Sequence, residues 1–503
     1  MAIKKELYHR IRRQISDRLG QRDLEIKRSE RALSRLFADK WLKVQKEHFR
    51  TALEQASLVF WGDFHGVRQS QKTLLRWLET QDSKDSNLVL ALECFPSNSQ
   101  KWLDAYLVGE LSESDFLEKI RWTRTWGFPW EHYRPLLEWA RRHRRPVLAV
   151  NAPLNRTRLK DRESWTLRLL EKYQAENPGC RIWVLYGEYH LLPQHFQRRL
   201  KNAEQALFVL QNSDRLYLKR NAVSAQEEVF RGPRRYFCLQ NVPPWVKWQT
   251  YLLFLDLKED QEIDEGLEIT DHVMGWARIL AQELGLNLRE NELNVYANDE
   301  PALWEKMKKE PFEVQDLYRR FIEEGLSFVS PQGGWAYLSK ISVNEAAGLA
   351  LQVLFFQQRP ELRWPKGTRG FWERSIWIFA LTYLGSKMIN PHRKTPQLPQ
   401  LQKKVRSAAR PFERQAARLA VAYSLRKSLG HSLDLFEQTH SDRVRFQAAR
   451  WIAGLWGGRL YNAYHQRRLR AENLRAFLAQ DPNQENFEVI LRHFLEVLHE
   501  AEG

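Results

Sequence analysis

Short runs of apolar residues alternate with amphipathic stretches between about residue 55 and residue 240. Six of these runs have the length of a buried strand: 57–62, 87–92, 146–151, 181–187, 206–211 and 235–240. The stretches that separate or follow them have apolar residues at helical spacing: 67–80, 98–120, 131–144, 155–175 and 191–203. Strands that are apolar on both faces and alternate with helices are typical of parallel sheets buried between helices. The pattern therefore predicts an α/β fold, with a mostly parallel sheet and helices on both faces.

The regions on either side of this pattern have a helical period. Residues 1–50 predict one or two basic helices, and the chain after Asp256 predicts a large all-helical region. There, Pro301 is expected to begin one helix and the capping box Ser342-x-x-Glu345 another. Loops are expected at 329–335, 360–370 and 390–400. We expect four parts: a basic N-terminal segment (1–50), the α/β domain (51–258), a helical domain (259–390) and a basic helical C-terminal region (391–503).

The charge of the chain is concentrated in two places. The net charge is +17; residues 1–50 hold 15 Lys and Arg against 7 Asp and Glu, and residues 391–480 hold 18 against 5. In the second region, Arg406, Arg410, Arg414 and Arg418 recur every four residues, which predicts one basic helix face. The segment YHQRRLRAENLR (464–475) adds a second cluster. Such surfaces attract nucleic acid or anionic membranes, so an adaptor that contacts phosphates is one candidate function.

Cysteine usage and hydropathy indicate the compartment. Cys94, Cys180 and Cys238 lie far apart without a C-x-x-C spacing, which argues against a disulfide framework or a structural zinc site. The first residues lack the apolar core of a secretory signal, and the longest apolar runs are shorter than a membrane span. These features predict a soluble cytoplasmic protein.

Two predicted strands end in the same pattern of glycine, acid, aromatic residue and histidine. The first copy is GDFH (62–65) and the second is GEYH (187–190). Glu93 ends the strand at 87–92, and Asn151 ends the strand at 146–151. Ligands of open parallel sheets bind at the carboxyl ends of the strands. We therefore expect one site at this edge.

The residue types at this edge permit several kinds of chemistry. His65 and His190, with Glu93, Asp63 and Glu188, are able to activate a water, transfer a proton or bind zinc, manganese or iron. The structural alternatives are that each histidine is a hydrogen-bonded core residue and that Glu93 caps the following helix. Cys94 is interpreted as a packing residue.

The region from about 55 to 215 resembles the ChaN-like domain of the haem-binding uptake and Tiki superfamily, which is related to erythromycin-esterase-like and TraB-like proteins. The resemblance rests on GDFH, on LALECF (90–95), on GEYH and on WGFPWEHYRPLLEWARRHRRPVLAVNAP (126–153). It implies either a hydrolase or a protein that binds haem or iron. Carried over by position, His65, Glu93 and His190 are the central site residues, supported by Asp63 and Glu188.

Two functions of this site are open at this point. In a hydrolase of a small-molecule, peptide or ester substrate, His65 is the general base, acting directly or through a metal held with Glu93 and His190. In a haem- or iron-binding protein, Tyr133, Tyr189 or a histidine is the axial ligand. The aromatic residues of the 126–130 segment then line the pocket. The predicted ligand-binding residues are Asp63, Glu188, Tyr133, Tyr189, Asn151 and Trp126; the oligomeric state is left open.

Overall fold

The computed structural model describes residues 2–19, 24–81, 87–153, 158–201, 205–219, 226–259, 269–289, 293–297, 301–332, 334–359, 361–365, 371–428, 441–484 and 487–500. The chain forms two compact units. The first comprises residues 5–254, and the second comprises residues 255–503 together with 1–4. Most of the predicted N-terminal segment thus belongs to the same unit as the predicted α/β domain.

The first unit is built on one eight-stranded sheet. Its strands are β1 (Leu42–Val44), β2 (Leu58–Asp63), β3 (Leu88–Pro96), β4 (Val147–Asn151), β5 (Arg181–Gly187), β6 (Ala206–Gln211), β7 (Glu228–Arg231) and β8 (Tyr236–Gln240). They lie in the order β1-β7-β8-β6-β2-β5-β3-β4, and all pairs are parallel except β1 with β7 and β7 with β8. All six predicted strands are present. The two that were not predicted, β1 and β7, are short and form the antiparallel edge.

Helices cover both faces of this sheet. They are α1 (Ala2–Leu19), α2 (Leu24–Leu36), α3 (Lys46–Gln55), α4 (Gln69–Leu78), α5 (Gln100–Val108), α6 (Glu113–Lys119), α7 (Trp122–Thr125), α8 (Arg134–His143), α9 (Leu159–Glu176), α10 (Asp214–Leu218) and α11 (Pro244–Glu259). Val59 and Trp61 of β2 pack into a core on one face, and Leu58 and Phe60 pack into a core on the other. The predicted α/β fold is confirmed.

Two of the predicted helices differ in detail. The helix expected at 98–120 is two helices, because Gly109 ends α5 with a φ of 89° and Ser112 caps α6 by accepting from the backbone N–H of Asp115. The helix expected at 191–203 is wrong. Its place is taken by short helical turns at Glu188–Leu191 and Pro193–Gln197, and the backbone of His195 within the second turn is not helical, with φ −104° and ψ −120°.

The second unit is mainly helical, as predicted, with one small sheet in addition. Its helices are α12 (Ile269–Leu284), α13 (Pro301–Met307), α14 (Phe312–Glu323), α15 (Val343–Gln358), α16 (Phe371–Ile389), α17 (Leu398–Ser407), α18 (Pro411–Ser428), α19 (Asp442–His465), α20 (Ala471–Leu478) and α21 (Phe487–Glu500). The strands β9 (Asn294–Ala297), β10 (Phe328–Ser330) and β11 (Trp335–Leu338) form a sheet in the order β10-β11-β9. Much of the loop expected at 329–335 therefore lies in the β10–β11 hairpin.

The helix starts predicted in the second unit are confirmed, whereas two of the predicted loops differ from the structure. Pro301 begins α13, and Ser342 caps α15 by accepting from the N–H of Glu345 at 3.3 Å, as predicted. The loop expected at 390–400 ends earlier, because α17 begins at Leu398. Much of the loop expected at 360–370 lies outside the described residues. Over the described parts of both units, no helix combines the length and apolar character needed to cross a membrane.

The predicted basic helix face is wrong. Arg406 lies in α17, which ends at Ser407, and Arg410 precedes α18, which begins at Pro411. A proline cannot continue the preceding helix, so the four-residue spacing runs across a helix end. Arg414 and Arg418 alone lie within one helix. The second basic cluster, 464–475, likewise spans the end of α19 and the start of α20.

Candidate functional site

Four neighbouring strands end at the site. In the sheet order, β2, β5, β3 and β4 are adjacent and parallel. They deliver the two Gly-x-x-His segments, Glu93 and Asn151 to the same edge. This order brings the segments together at the carboxyl ends of the strands, where the sequence placed them.

An irregularity in β3 directs Glu93 into the site. The pairing of β3 with β4 passes from Leu92↔Ala149 to Pro96↔Asn151, so β3 contains two more residues than β4 over this interval. Extra residues of this kind bend a strand and change the direction of its side chains. Glu93 lies within the irregular segment and is 3% exposed. The neighbouring thiol of Cys94 is also buried, and burial raises its pKa well above its usual value, so Cys94 stays protonated.

His65 is held by a buried carboxylate. Asp63 accepts a hydrogen bond from His65 Nδ1 at 2.8 Å, from the Tyr133 hydroxyl at 2.9 Å and from the side-chain amide of Gln71. A carboxylate can only accept, so the ring proton of neutral His65 resides on Nδ1. The other ring nitrogen, Nε2, is left as a proton acceptor and points towards Glu93.

The same carboxylate alters the acidity of His65. Burial lowers the pKa of the imidazole, but the charge and hydrogen bond of Asp63 and the charge of Glu93 outweigh burial and raise the pKa above 6.5. The side chain is 24% exposed, so solvent or a substrate is able to reach it. His65 therefore has the position and basicity of a general base near neutral pH.

His190 has an equivalent anchor that sequence reasoning missed. Its Nδ1 lies 2.8 Å from Oε1 of Glu163, a fully buried residue of α9. His195 Nδ1 contacts the same oxygen at 2.7 Å, and Arg199 donates to the other. Burial raises the pKa of Glu163, but the histidine hydrogen bonds and charges overcome it and lower the pKa to about 2. Glu163 is thus an anion that fixes the orientation of His190.

Glu93 lies between the two imidazoles. Its Oε2 is 3.8 Å from His65 Nε2, and its Oε1 is 4.0 Å from His190 Nε2. The carboxylate is held by Arg162, which donates to Oε1 at 3.0 Å, and by the N–H of Gly187, which donates to Oε2 at 2.7 Å. Each imidazole therefore lies between two carboxylates: His65 between Asp63 and Glu93, and His190 between Glu93 and Glu163.

Gly187 keeps the space between these groups open. A Cβ at this position would lie 3.3 Å from a His190 ring carbon, 3.3 Å from His65 Nε2 and 3.4 Å from Glu93 Oε2. These distances are at or near the limit of ordinary contact. A side chain at this position would displace these groups by a few tenths of an ångström, so glycine maintains their present separation.

Only some of the other predicted ligand-binding residues lie at the site. Asn151 lies at the site, where its side-chain oxygen accepts from Arg162. The Trp126 ring lies 4.6 Å from the His65 ring. Tyr133 is 1% exposed in the core behind Asp63. The side chain of Glu188 lies against Gly62 and accepts from the N–H of Gln211, and Tyr189 packs against the core on the opposite face.

The missed residues were hidden for separate reasons. Arg162 and Glu163 lie on α9, whose sequence resembles any amphipathic helix with charged residues. Their position on the sheet-facing side became clear only from the packing. His195 follows the second Gly-x-x-His segment by five residues, and this nearby histidine was the signal that could have extended the predicted site.

A divalent metal does not fit the residues at this edge. The Glu93 oxygens already accept from Arg162 and from the Gly187 N–H, and the guanidinium places positive charge next to the carboxylate a metal would need. Throughout the described ranges, no group of three or more His, Cys, Asp or Glu side chains is arranged to hold a metal ion.

Comparison with known proteins gives one family. Residues 49–180 match the family model described as haem-binding uptake, Tiki superfamily, ChaN. The match contains Asp63, His65, Glu93 and Asn151 and ends before the second Gly-x-x-His segment. A solved structure described as cofacial heme binding to ChaN of Campylobacter jejuni is similar over 39% of this chain and 91% of that chain, with 11% identity and a TM-score of 0.27. A TM-score this low supports no conclusion. No curated protein matches the chain in sequence.

Proposed function

The chain carries a ChaN-like domain, and on that premise we propose that its site is a metal-free acid–base hydrolase centre. The observation that carries the proposal is the pair His65–Asp63. The buried carboxylate holds Nδ1 at 2.8 Å and leaves Nε2 directed at Glu93, 3.8 Å away. This separation is suited to a water that donates one hydrogen bond to each group.

The reaction follows from the position of each group. His65 Nε2 removes a proton from the water, and the water oxygen attacks the carbonyl carbon of an ester or amide. The electron pair of the C=O bond moves to its oxygen. The Arg162 guanidinium stabilises the negative charge there. When the C=O bond reforms, the leaving group departs and takes the proton from His65.

Glu93 orients the water and the Arg162 guanidinium in this scheme. Its bonds to Arg162 and to the Gly187 N–H fix the carboxylate, so it offers a directed acceptor without moving. Glu163 and Asp63 hold the two imidazoles from behind. A preorganised arrangement of this kind needs little rearrangement when charge develops.

The test is hydrolysis of a panel of carboxylic esters and amides by purified protein in ¹⁸O-labelled water. Hydrolysis places one labelled oxygen in the acid product. We expect His65→Ala to lower kcat/KM by about 10²–10⁴-fold, the usual contribution of a general base. His48→Ala, an exposed histidine on α3, is the matched control. Unchanged activity in folded His65→Ala would remove His65 as the base.

A second candidate function, haem binding, is favoured by the rings beside His65. Trp126 and Phe128 are partly buried, and their rings lie 4.6 and 5.0 Å from His65. Aromatic side chains and a partly exposed imidazole such as His65 are groups that hold a haem and ligate its iron. Tyr133 does not fit as a ligand, because its hydroxyl donates to buried Asp63.

Titration with haemin tests this candidate. Haem binding by His65 predicts a new Soret band that His65→Ala loses and Tyr133→Phe retains. Elemental analysis of the same protein tests the metal alternative, for which stoichiometric zinc, manganese or iron would be required. No spectral change on addition of haemin rules out the haem function and leaves the hydrolase proposal intact.

A further inference from the structure

Helices α17, α18 and α19 contain very few acidic residues. Their sequences include only Glu413 and Asp442. Both are in ion pairs: Glu413 lies 3.9 Å from Arg410, and Asp442 lies 3.6 Å from Arg320 and 3.5 Å from Arg445. Apart from histidine, every other charged residue of these three helices is Lys or Arg. We define the basic surface as Lys403, Lys404, Arg406, Arg410, Arg414, Arg418 and Arg443, all of which are exposed.

The basic surface is arranged in a regular way around the turn between α17 and α18. The carbonyl of Arg410 accepts from the N–H of Arg414, so Arg410, Arg414 and Arg418 follow one another at successive turns, with a rise of about 6 Å each. The Arg443 guanidinium lies 4.1 Å from the centre of the Phe412 ring, which joins the start of α19 to the start of α18. The cations are therefore carried by packed helices.

Most of these cations have no acidic partner in the part of the chain that the structure describes. Among the described residues, Lys403, Arg406, Arg414 and Arg418 make no ion pair with an acidic side chain. Like charges four residues apart on a helix cost about 0.2–0.5 kcal/mol per pair. A row of such pairs lowers stability, and an anionic partner would offset this cost.

We propose that the basic surface binds the phosphate backbone of double-stranded nucleic acid without reading its sequence. Arginine is well suited to phosphate because its planar guanidinium donates two parallel hydrogen bonds. A membrane is a poorer partner: Ala416, Leu419 and Tyr423 of α18 are buried, and the exposed Leu425 alone is too small an apolar surface to enter a bilayer. Single strands are bound through exposed aromatic rings, and Phe412 is covered by Arg443.

The test measures binding of the full chain to fluorescein-labelled duplexes of about 20 base pairs, one DNA and one RNA, by fluorescence anisotropy at roughly 50 to 200 mM salt. The test variant combines Arg406→Gln, Arg410→Gln, Arg414→Gln and Arg418→Gln. The control combines Arg121→Gln, Arg124→Gln, Arg142→Gln and Arg144→Gln, which removes the same charge from exposed positions of the first unit. Circular dichroism verifies that both variants are folded.

We expect the test variant to bind at least about 10²-fold more weakly. The slope of log K against log salt should become less negative by about 3.6, as for four lost phosphate contacts. The control should keep the slope of the wild type. Absence of duplex binding, an unchanged slope in the test variant, or equal losses in both variants would overturn the proposal. Stronger binding to phosphatidylserine vesicles than to either duplex, lost in the test variant, would assign the surface to membranes instead.

Discussion

At the scale of single residues, the site depends on buried carboxylates behind each histidine. Asp63 and Glu163 are 4% and 0% exposed and contact the Nδ1 atoms of His65 and His190. Asp63 was predicted because it is two residues from His65 in the motif. Glu163 could not be predicted in the same way, because it is distant in sequence and its role arises from how α9 packs on the sheet.

The pH dependence of the reaction tests the role of Asp63. Because the base must be neutral and its pKa is raised, kcat/KM should increase with pH through a midpoint above 6.5. Asp63→Asn removes the carboxylate and leaves burial, which lowers the pKa, so the midpoint should move to lower pH. The plateau should also fall by about 10²–10⁴-fold, because the Nδ1–H tautomer is no longer favoured.

The matched control for this measurement is Asp104→Asn, an exposed aspartate on α5. It should leave both the midpoint and the plateau unchanged. A pH profile of Asp63→Asn that superimposes on that of the wild type would mean that Asp63 does not set the basicity of the catalytic group.

Acid stability tests the role of Glu163. Its pKa is lowered from 4.5 to about 2, so its contribution to stability is fully present above pH 4.5 and is lost as the pH falls towards 2. The shift corresponds to about 3 kcal/mol. Glu163→Gln should therefore be less stable near neutrality and should lose less unfolding free energy over this acid range, as measured by urea titration.

Glu171→Gln provides the comparison on the same helix. Glu171 pairs with the exposed Lys201 at 3.1 Å and is itself 36% exposed. Surface pairs of this kind contribute about 0–1 kcal/mol, so its acid profile should follow the wild type. If Glu163→Gln and Glu171→Gln have the same acid profile, the ionised Glu163 carboxylate does not stabilise the fold by the predicted amount.

At the scale of secondary-structure elements, the ends of the strands determine where the site residues lie. The six predicted strands were recognised because residues buried on both faces form short continuous apolar runs. The bulge in β3 was not predictable, because it depends on pairing with β4 and leaves no mark on the apolar pattern. The helix expected at 191–203 failed for a local reason, the non-helical backbone of His195.

The end of β5 provides a test at this scale. Gly187→Ala inserts a methyl group between His65, His190 and Glu93, and displacements of a few tenths of an ångström should lower kcat/KM by about 10–100-fold. The unfolding free energy should change by only about 1 kcal/mol. Gly275→Ala, where a Cβ meets no atom within 4 Å, should retain full activity. Full activity in Gly187→Ala would show that the separation of these groups is not critical.

At the scale of the whole molecule, the sequence predicted the character of the two units better than their details. The alternation of strands and helices predicted the first unit, and the helical period predicted the second. The small sheet of β9, β10 and β11 was missed because its strands have only three or four residues each, too few to establish a period. The basic helix face failed because a constant spacing in sequence continued across a helix end at Pro411.

The most direct test of the central claim is the tautomeric state of the two site histidines, measured by ¹⁵N NMR of the imidazole nitrogens at a pH where both are neutral. Assignment uses His65→Ala and His190→Ala. The account predicts that both rings carry their proton on Nδ1, bonded to Asp63 and Glu163, and leave Nε2 as the acceptor facing Glu93. Protonation of either ring on Nε2 would contradict it, because that imidazole would then have no free nitrogen at the centre of the site.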